Sequence, residues 1–327
     1  MKFFCQQPAT RGGKVSGGPV LVIKLGALGD FIQALGPMKA IRTRHRNQDI
    51  TLLTTAPFVS MAEATGLFDR VQVDLRPGRF EPAGWWRLRK FLRNGSFSQV
   101  YDLQTSNRSS WYFRLFFPGP VPQWSGIAKG CSHFHSNPDR NNMHTLDRQR
   151  DQLKVAGIAQ VPPADLGWAN ADLAGMDLPD RFALLVPGGA PHRPAKRWPV
   201  DRFRVIAEEM TARDIVPVVI GSHSEAGLAA DILVNCPGGI DLTGQTDLLQ
   251  LATLVGRASG AVGNDTGPMH LIAVSGCPCL VLFSGESDPD LCAPRGKNVA
   301  ILQAPQLTDL PTGRVAAVVN DLIARSV

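Results

Sequence analysis

No apolar run in this 327-residue chain approaches the roughly 18 to 20 residues that a bilayer-spanning helix needs. The sequence also lacks the glycine period of collagen, sustained heptads and the low hydrophobicity of a disordered chain, since 44% of its residues are apolar and 19% charged. Cysteine is sparse. The six, Cys5, Cys131, Cys236, Cys277, Cys279 and Cys292, form no CxxC pair and no disulfide-framework spacing, which predicts reduced thiols packed as small apolar groups. The opening Met1–Thr10 has only a token apolar core, unlike a secretory leader, so a cytoplasmic protein is expected. No GxGxxG follows the first predicted strand, and the dinucleotide fingerprint is therefore missing.

Charge is abundant but uneven. Residues 1–170 hold 22 Lys and Arg against 11 Asp and Glu, whereas residues 171–327 hold 12 against 17. A basic front half and a mildly acidic rear half predict two domains meeting different ligands, the first of them anionic or set at an anionic surface. Nucleic acid has no recognition motif to support it and is not an expected partner. Cys131, His133, His135 and His144 match no metal-ligand spacing, so they read as a polar loop and not as a zinc site.

Thirty-two glycines and 25 prolines are scattered between short apolar runs, as turn punctuation in an alternating α/β chain. Residues 1–17 read as a disordered tail. Strands are predicted at 19–24, 50–54, 71–74 and 99–103, separated by helices over 30–44, 57–65 and 84–94. The Gly-, Pro-, Ala- and Asp-rich stretch 157–180 reads as a linker, after which strands at 182–186, 216–220, 260–263 and 279–283 alternate with helices over 199–212, 225–235, 247–257 and 268–274. The expected organisation is a first doubly wound parallel-sheet domain over 18–165, a second over 166–311 and a terminal helix over 312–327. Open parallel sheets bind ligands beyond the carboxyl ends of their strands, so two facing sheets would hold two substrates in one cleft.

Four segments carry the chemistry. Lys24-Leu-Gly-Ala-Leu-Gly29-Asp30 turns the first strand into a helix; Gly26 and Gly29 would let another molecule approach the backbone, and Asp30 reads either as a helix N-cap or as a base. Gly263-Asn-Asp-Thr-Gly-Pro268-Met-His270 offers free amides at Thr266 and Gly267 for a phosphate, or simply a helix capped by Asp265 with Pro268 in its first turn. His270, four residues after Thr266, lines the cleft or packs. In the loop from Val186 to Pro199, which includes Gly188 and Gly189, Lys196 is a point charge against a diphosphate, supported by Arg193 or Arg197. Gly221-Ser-His-Ser-Glu225 places Glu225 as a ribose ligand or as a favourable first-turn acid.

Taken together and in this order, the segments resemble glycosyltransferase family 9, the lipopolysaccharide heptosyltransferases, from about residue 19 to 325. The resemblance implies a GT-B fold, with the last helix crossing back to the first domain, and an inverting, metal-independent transfer from a nucleotide-heptose, typically ADP-heptose, to the lipopolysaccharide inner core. It implies Asp30 as base and Lys196 on donor phosphate and sugar. Glu225 would bind ribose, Asp265 the sugar hydroxyls, and the Thr266 and Gly267 amides the diphosphate. No cofactor and no metal are implied; Asp288-Pro-Asp290 imitates a metal-binding DxD but belongs to the family's short loop beginning at Ser287. The chain departs from the family where Pro191-His192-Arg193 replaces threonines that some members carry. An anionic, lipid-linked glycan is the expected acceptor. Trp85 to Arg93 mixes aromatics with cations, as membrane-surface helices do, which predicts peripheral attachment to the inner leaflet, although a core-facing stripe explains it equally. A nicotinamide-dependent oxidoreductase and a non-catalytic nucleotide-binding protein of the same fold are the alternatives.

Overall fold

The computed structural model describes residues 17–190 and 192–325. The expected disordered tail, but for Gly17, lies outside the described residues. Apolar runs become strands buried on both faces. β1 (Val20–Ile23) and β2 (Ile50–Thr54) are fully enclosed, whereas β3 (Arg70–Val73), at the sheet edge, alternates in exposure. β4 (Gln99–Asp102), β5 (Gln123–Gly126) and β6 (His133–Phe134) complete a parallel sheet of order β3-β2-β1-β4-β5-β6. Its helices are α1 (Leu28–Arg44), α2 (Val59–Ala64), α3 (Pro82–Asn94), α4 (Asn107–Arg114) and α5 (Thr145–Val155).

The second lobe repeats this winding. β7 (Phe182–Val186), α6 (Val200–Thr211), β8 (Val216–Val219), α7 (Ala226–Leu233), β9 (Ile240–Asp241) and α8 (Leu248–Leu254) form its first half. The second half comprises β10 (Gly260–Asn264), α9 (Gly267–Ser275), β11 (Cys279–Phe283), α10 (Pro289–Cys292), β12 (Val299–Gln303) and α11 (Thr312–Ala324). The order β12-β11-β10-β7-β8-β9 is again parallel throughout. The strand order reverses beside β1 and beside β7, and the crevices that open at such points are the natural ligand sites of parallel sheets.

One continuous apolar cluster joins the lobes. It runs from Phe31, Ile32 and Leu35 of α1 to Met269 and Ile272 of α9 and Leu251 of α8, and α1 packs directly on α9. The linker is irregular apart from a short turn at Ala174–Met176, yet it is not loose: Asp165 pairs with Lys39 of α1 at 2.6 Å and Ala171 N–H donates to Thr253 of α8.

Several expectations need correction. The terminal helix does not carry its apolar face back to the first lobe. Val315, Ala316, Val319 and Ile323 of α11 join the second lobe's own cluster, and α11 packs on α6, β10 and β11. The stretch from Cys131 to His144 is not simply a polar loop, because it contains β6 and two buried histidines. His135 bonds Asp151 at 2.9 Å and His144 bonds the Ala293 carbonyl at 3.0 Å. The five described cysteines are unpaired.

Candidate active site

The turn after β1 places Asp30 in the first turn of α1, not at its cap. The helix begins at Leu28, its cap is Ala27, and no side chain caps it. The N-cap reading of Asp30 therefore fails, and its carboxylate is left to two hollows that open on either side of it. One, of about 590 Å³, is lined by Gly26, Phe58, Arg76, Asn107 and Arg108; the other, of about 120 Å³, by Lys24, Arg140, Thr145, Arg148 and Gln149. Lys24 is buried and its ammonium donates to the Leu103 carbonyl at 3.2 Å; burial holds its pKa below the ordinary lysine value, while Asp30 and Asp102 act the other way. Asp102, beneath the same turn, is pushed up to about 6 by burial. Its Oδ1 accepts the N–H groups of Gln104 and Thr105, and its Oδ2 has no partner.

The second lobe supplies the opposite charge. Asn264, fully buried at the end of β10, donates to the Pro187 carbonyl at 2.7 Å and accepts the Trp198 N–H at 3.0 Å, which fixes the loop carrying Lys196 over the strand ends. Lys196 then reaches Asp265 at 2.5 Å, with both side chains largely buried, and Ser287 donates to the same carboxylate oxygen at 2.7 Å. Asp265 is thus no helix cap; Thr266 stands at that position, without a side-chain bond, and Pro268 is the second residue of α9. At the start of α9 Pro268 has no N–H and the Met269 N–H donates to the Thr266 carbonyl at 3.1 Å, which leaves the Gly267 amide outside the helix's own ladder. Glu225 is held between two glycines, where a Cβ on Gly188 would lie 1.8 Å and one on Gly221 2.7 Å from its carboxylate. It accepts the Gly189 N–H at 3.0 Å and the Ser222 N–H at 2.7 Å. Arg197 donates to the Gly189 carbonyl at 2.5 Å, whereas Arg193 lies exposed. Pro191 is outside the described residues.

The glycines expected to admit a ligand also admit protein. A Cβ on Gly29 would lie 2.6 Å from His270 Cδ2, one on Gly267 2.8 Å from Leu28 Cβ, and one on Gly26 2.8 Å from the Phe58 ring. Gly26 also has φ +116°, a conformation that side chains disfavour. Only Gly189 keeps an ordinary clearance, 3.6 Å from Arg197. These contacts press the starts of α1 and α9 together, so charges from the two lobes act on the same side chains at their junction. The buried His270 imidazole feels both Asp265 and Asp30, and the Cys292 thiol feels Asp265, Lys196, Asp288 and Asp30. Two more contacts cross between the lobes: Arg295 pairs with Asp147 of α5 at 2.7 Å and Thr145 donates to the Leu291 carbonyl.

Among the described residues, no group of three or more His, Cys, Asp or Glu side chains is arranged to hold a metal. Asp288 is occupied in capping α10, accepting the Asp290 N–H at 2.9 Å. No described helix is long and apolar enough to cross a membrane.

The model of "Glycosyltransferase family 9 (heptosyltransferase)" matches residues 85–318, well over half the chain. The chain belongs to glycosyltransferase family 9. Lipopolysaccharide heptosyltransferase 2 of Escherichia coli strain K12 is 29% identical over 315 residues, which cover 87% of either chain. A family 9 glycosyl transferase from Veillonella parvula superposes with a TM-score of 0.81 over 97% of this chain and all of that one, at 19% identity. The Escherichia coli ADP-heptose lipopolysaccharide heptosyltransferase II superposes with 0.76 over 94% of this chain and 99% of its own, also at 19% identity. At such identities the structures speak for the fold, which is the GT-B arrangement of two parallel sheets.

Relative to what the sequence offered, this family 9 site gains residues that no motif marked. Arg76, Arg108, Arg140 and Arg148 come from separate loops and helices and converge only around Asp30. Their one sequence signal is the excess of cations in the first half. Gln33 was missed because a neutral amide carries no signature beyond the contacts it makes.

Proposed function

We propose that this family 9 enzyme transfers heptose from ADP-heptose to the inner core of lipopolysaccharide or a related envelope glycan, with inversion and without a metal ion. The observation that carries the reading is the placement of Asp30 across the α1–α9 junction from the Lys196–Asp265 pair and the start of α9. An acceptor hydroxyl in the 590 Å³ hollow attacks the anomeric carbon while the bond to the diphosphate breaks, and Asp30 takes the hydroxyl proton. A single displacement of this kind inverts the anomeric centre. The hydroxyl turns acidic only as it bonds an electron-poor carbon, so its proton leaves late in the step.

Lys196 has three ammonium protons and spends one on Asp265, leaving two donors for the departing diphosphate beside the free amides of Thr266 and Gly267. Positive charge at that place does the work a metal ion does in other transferases. Asp265 faces the sugar hydroxyls with its remaining lone pairs, and Glu225 offers a lone pair of Oε1 to ribose. The Escherichia coli relatives, named for lipopolysaccharide and for ADP-heptose, support the donor and acceptor classes.

An anionic acceptor fits Arg76 and Arg108 at the mouth of the larger hollow. Beside that mouth, residues 75–121 carry eight Lys and Arg against only Glu81 and the buried Asp102. Phe80, Trp86, Trp111 and Phe117 are 89%, 61%, 56% and 46% exposed there. Trp85 does not join them; it turns inward, with its indole N–H on the Gly78 carbonyl and its ring edge-to-face with Tyr112. We read this cationic, aromatic face as the contact with the inner leaflet, holding the acceptor hollow at the lipid surface. Replacing Trp86 and Trp111 by Ser should abolish sedimentation with anionic vesicles and leave transfer to a soluble acceptor intact; binding indifferent to anionic lipid refutes it. For the chemistry, turnover of ADP-heptose on a deacylated core acceptor is the test, with NMR of the product's anomeric configuration. Selective stabilisation by UDP or GDP instead of ADP would change the donor. Nucleotide binding without turnover would favour a non-catalytic role.

A further inference from the structure

Gln33 of α1, three residues beyond Asp30 and buried, reaches across the lobe boundary with one amide group. Its Nε2 lies 3.0 Å from His270 Nδ1 on α9 and 3.2 Å from the Cys292 carbonyl at the end of α10. An amide NH₂ has two protons, and two acceptors use them. The Cys292 carbonyl decides which amide atom points this way, because it has no proton to give and Gln33 Oε1 in that place would set two oxygens against each other. His270 Nδ1 is then an acceptor, and the neutral ring carries its proton on Nε2. Burial acts in the same sense, holding His270 down to about 4, while Asp265 from the end of β10, Asp30 from α1 and His144 from the turn before α5 face it. The edge of the ring that bears Nε2 lies against Gly29, next to Asp30.

We propose that Gln33 is a positioning residue of the transfer reaction. By donating to Nδ1 it fixes His270 as the neutral Nε2–H tautomer, so that a fixed N–H donor, and no imidazolium, stands between Asp30 and Asp265. The proposal rests on Asp30 as the base. A cation at His270 would pair with that carboxylate and weaken it as a proton acceptor, whereas a neutral N–H orients an oxygen and leaves the proton free to move. The same amide ties α1 to the segment that also carries Ser287, and so couples the tautomer to the contact between the lobes.

Nitrogen-15 NMR of the histidine-labelled full-length chain near neutral pH reads this directly, with His270 assigned by comparison with H270Q. The expected signal is an unprotonated Nδ1 and a protonated Nε2; an Nδ1–H form in the wild type overturns the proposal whatever the activity. Gln33→Glu puts a carboxylate against Nδ1, which draws a proton there and raises the histidine's pKa. Its kcat at pH 7 should fall about tenfold or more, with KM for ADP-heptose within about twofold and the acid limb of the kcat profile moved upward by about one pH unit. Gln33→Met, which fills the space without donating, should give mixed tautomers. Activity lost with the wild-type tautomer and pH profile retained in both variants would mark Gln33 as structural only and sink the proposal. Should Asp30→Ala keep its turnover, the base assignment fails, while the tautomer remains a separate measurement.

Discussion

Gly29→Ala separates two meanings of a glycine in a site. The added Cβ would lie 2.6 Å from His270 Cδ2 and 2.8 Å from Nε2, where carbon atoms in contact rest at about 3.5–4.0 Å. Something must move by about 1 Å. The ring cannot swing freely, since Gln33 holds Nδ1, and both backbones belong to packed helices. Overpacking of this kind costs about 1–3 kcal/mol, and the helical preference of Ala over Gly returns about 0.5–1 kcal/mol. The net loss of up to about 2.5 kcal/mol, at about 2.1 cal/mol/K of unfolding entropy per residue, lowers the Tm of this 327-residue chain by up to about 4 °C. Thermal unfolding of G29A against wild type measures it. Gly227→Ala in α7 serves as control, because nothing lies within 4 Å of that Cβ, and it should unfold at the wild-type temperature or above. In an H270A background, where the obstructing ring is gone, G29A should cost less than half as much. A G29A protein with unchanged Tm but lost acceptor turnover would refute the packing argument and return Gly29 to the role of admitting substrate.

Asp30→Ala should lower kcat by about 10²–10⁴-fold while ADP still raises Tm as in the wild type, a pairing that calorimetry and turnover together would check. Lys196→Ala strands the buried Asp265 carboxylate, so stability should fall by about 3 kcal/mol or more in urea titration, and ADP affinity with it. Two buried groups oppose each other in acid. Asp102, raised to about 6, contributes stability that is full at low pH and is lost as pH rises through 6, whereas His270, lowered to about 4, contributes stability present above pH 6.5 that is lost as pH falls through 4. Asp102→Asn removes the first alone, so its stability should fall more steeply than that of the wild type between pH 6.5 and 4 in urea titrations; parallel curves would contradict the Asp102 assignment, and a D102N curve flat over that range the His270 assignment. The exposed Arg295–Asp147 pair should matter little, with Arg295→Ala costing under about 1 kcal/mol.

The strands that the sequence revealed best are those buried on both faces, because a continuous apolar run such as Val20–Ile23 or Cys279–Phe283 has few other destinations. What escaped it sits mostly at edges and periphery: β6 and β9 are two residues long, β12 is largely exposed, and the runs that become α4 and α5 are too polar to stand out as amphipathic, while the interior β5, Gln-Trp-Ser-Gly, has no apolar run to mark it. Trp85 and Trp86 show the same limit at one helix. Adjacent and chemically identical, they point to different environments, and only the contact of Trp85 with Tyr112 of α4 says which turns inward.

From its order of residues alone the chain established two parallel αβ lobes, a charge division between them and the four strand-to-helix turns where ligands gather, because apolar periodicity and turn chemistry are local properties. The tertiary structure alone decided what fills those turns. It set His270 and Leu28 against the glycines, bound Lys196 to Asp265, closed Glu225 between Gly188 and Gly221, and drew four scattered arginines around Asp30. Contacts between residues more than two hundred positions apart, such as Gln33 with His270, depend on how two rigid lobes meet, and no short-range pattern encodes that meeting.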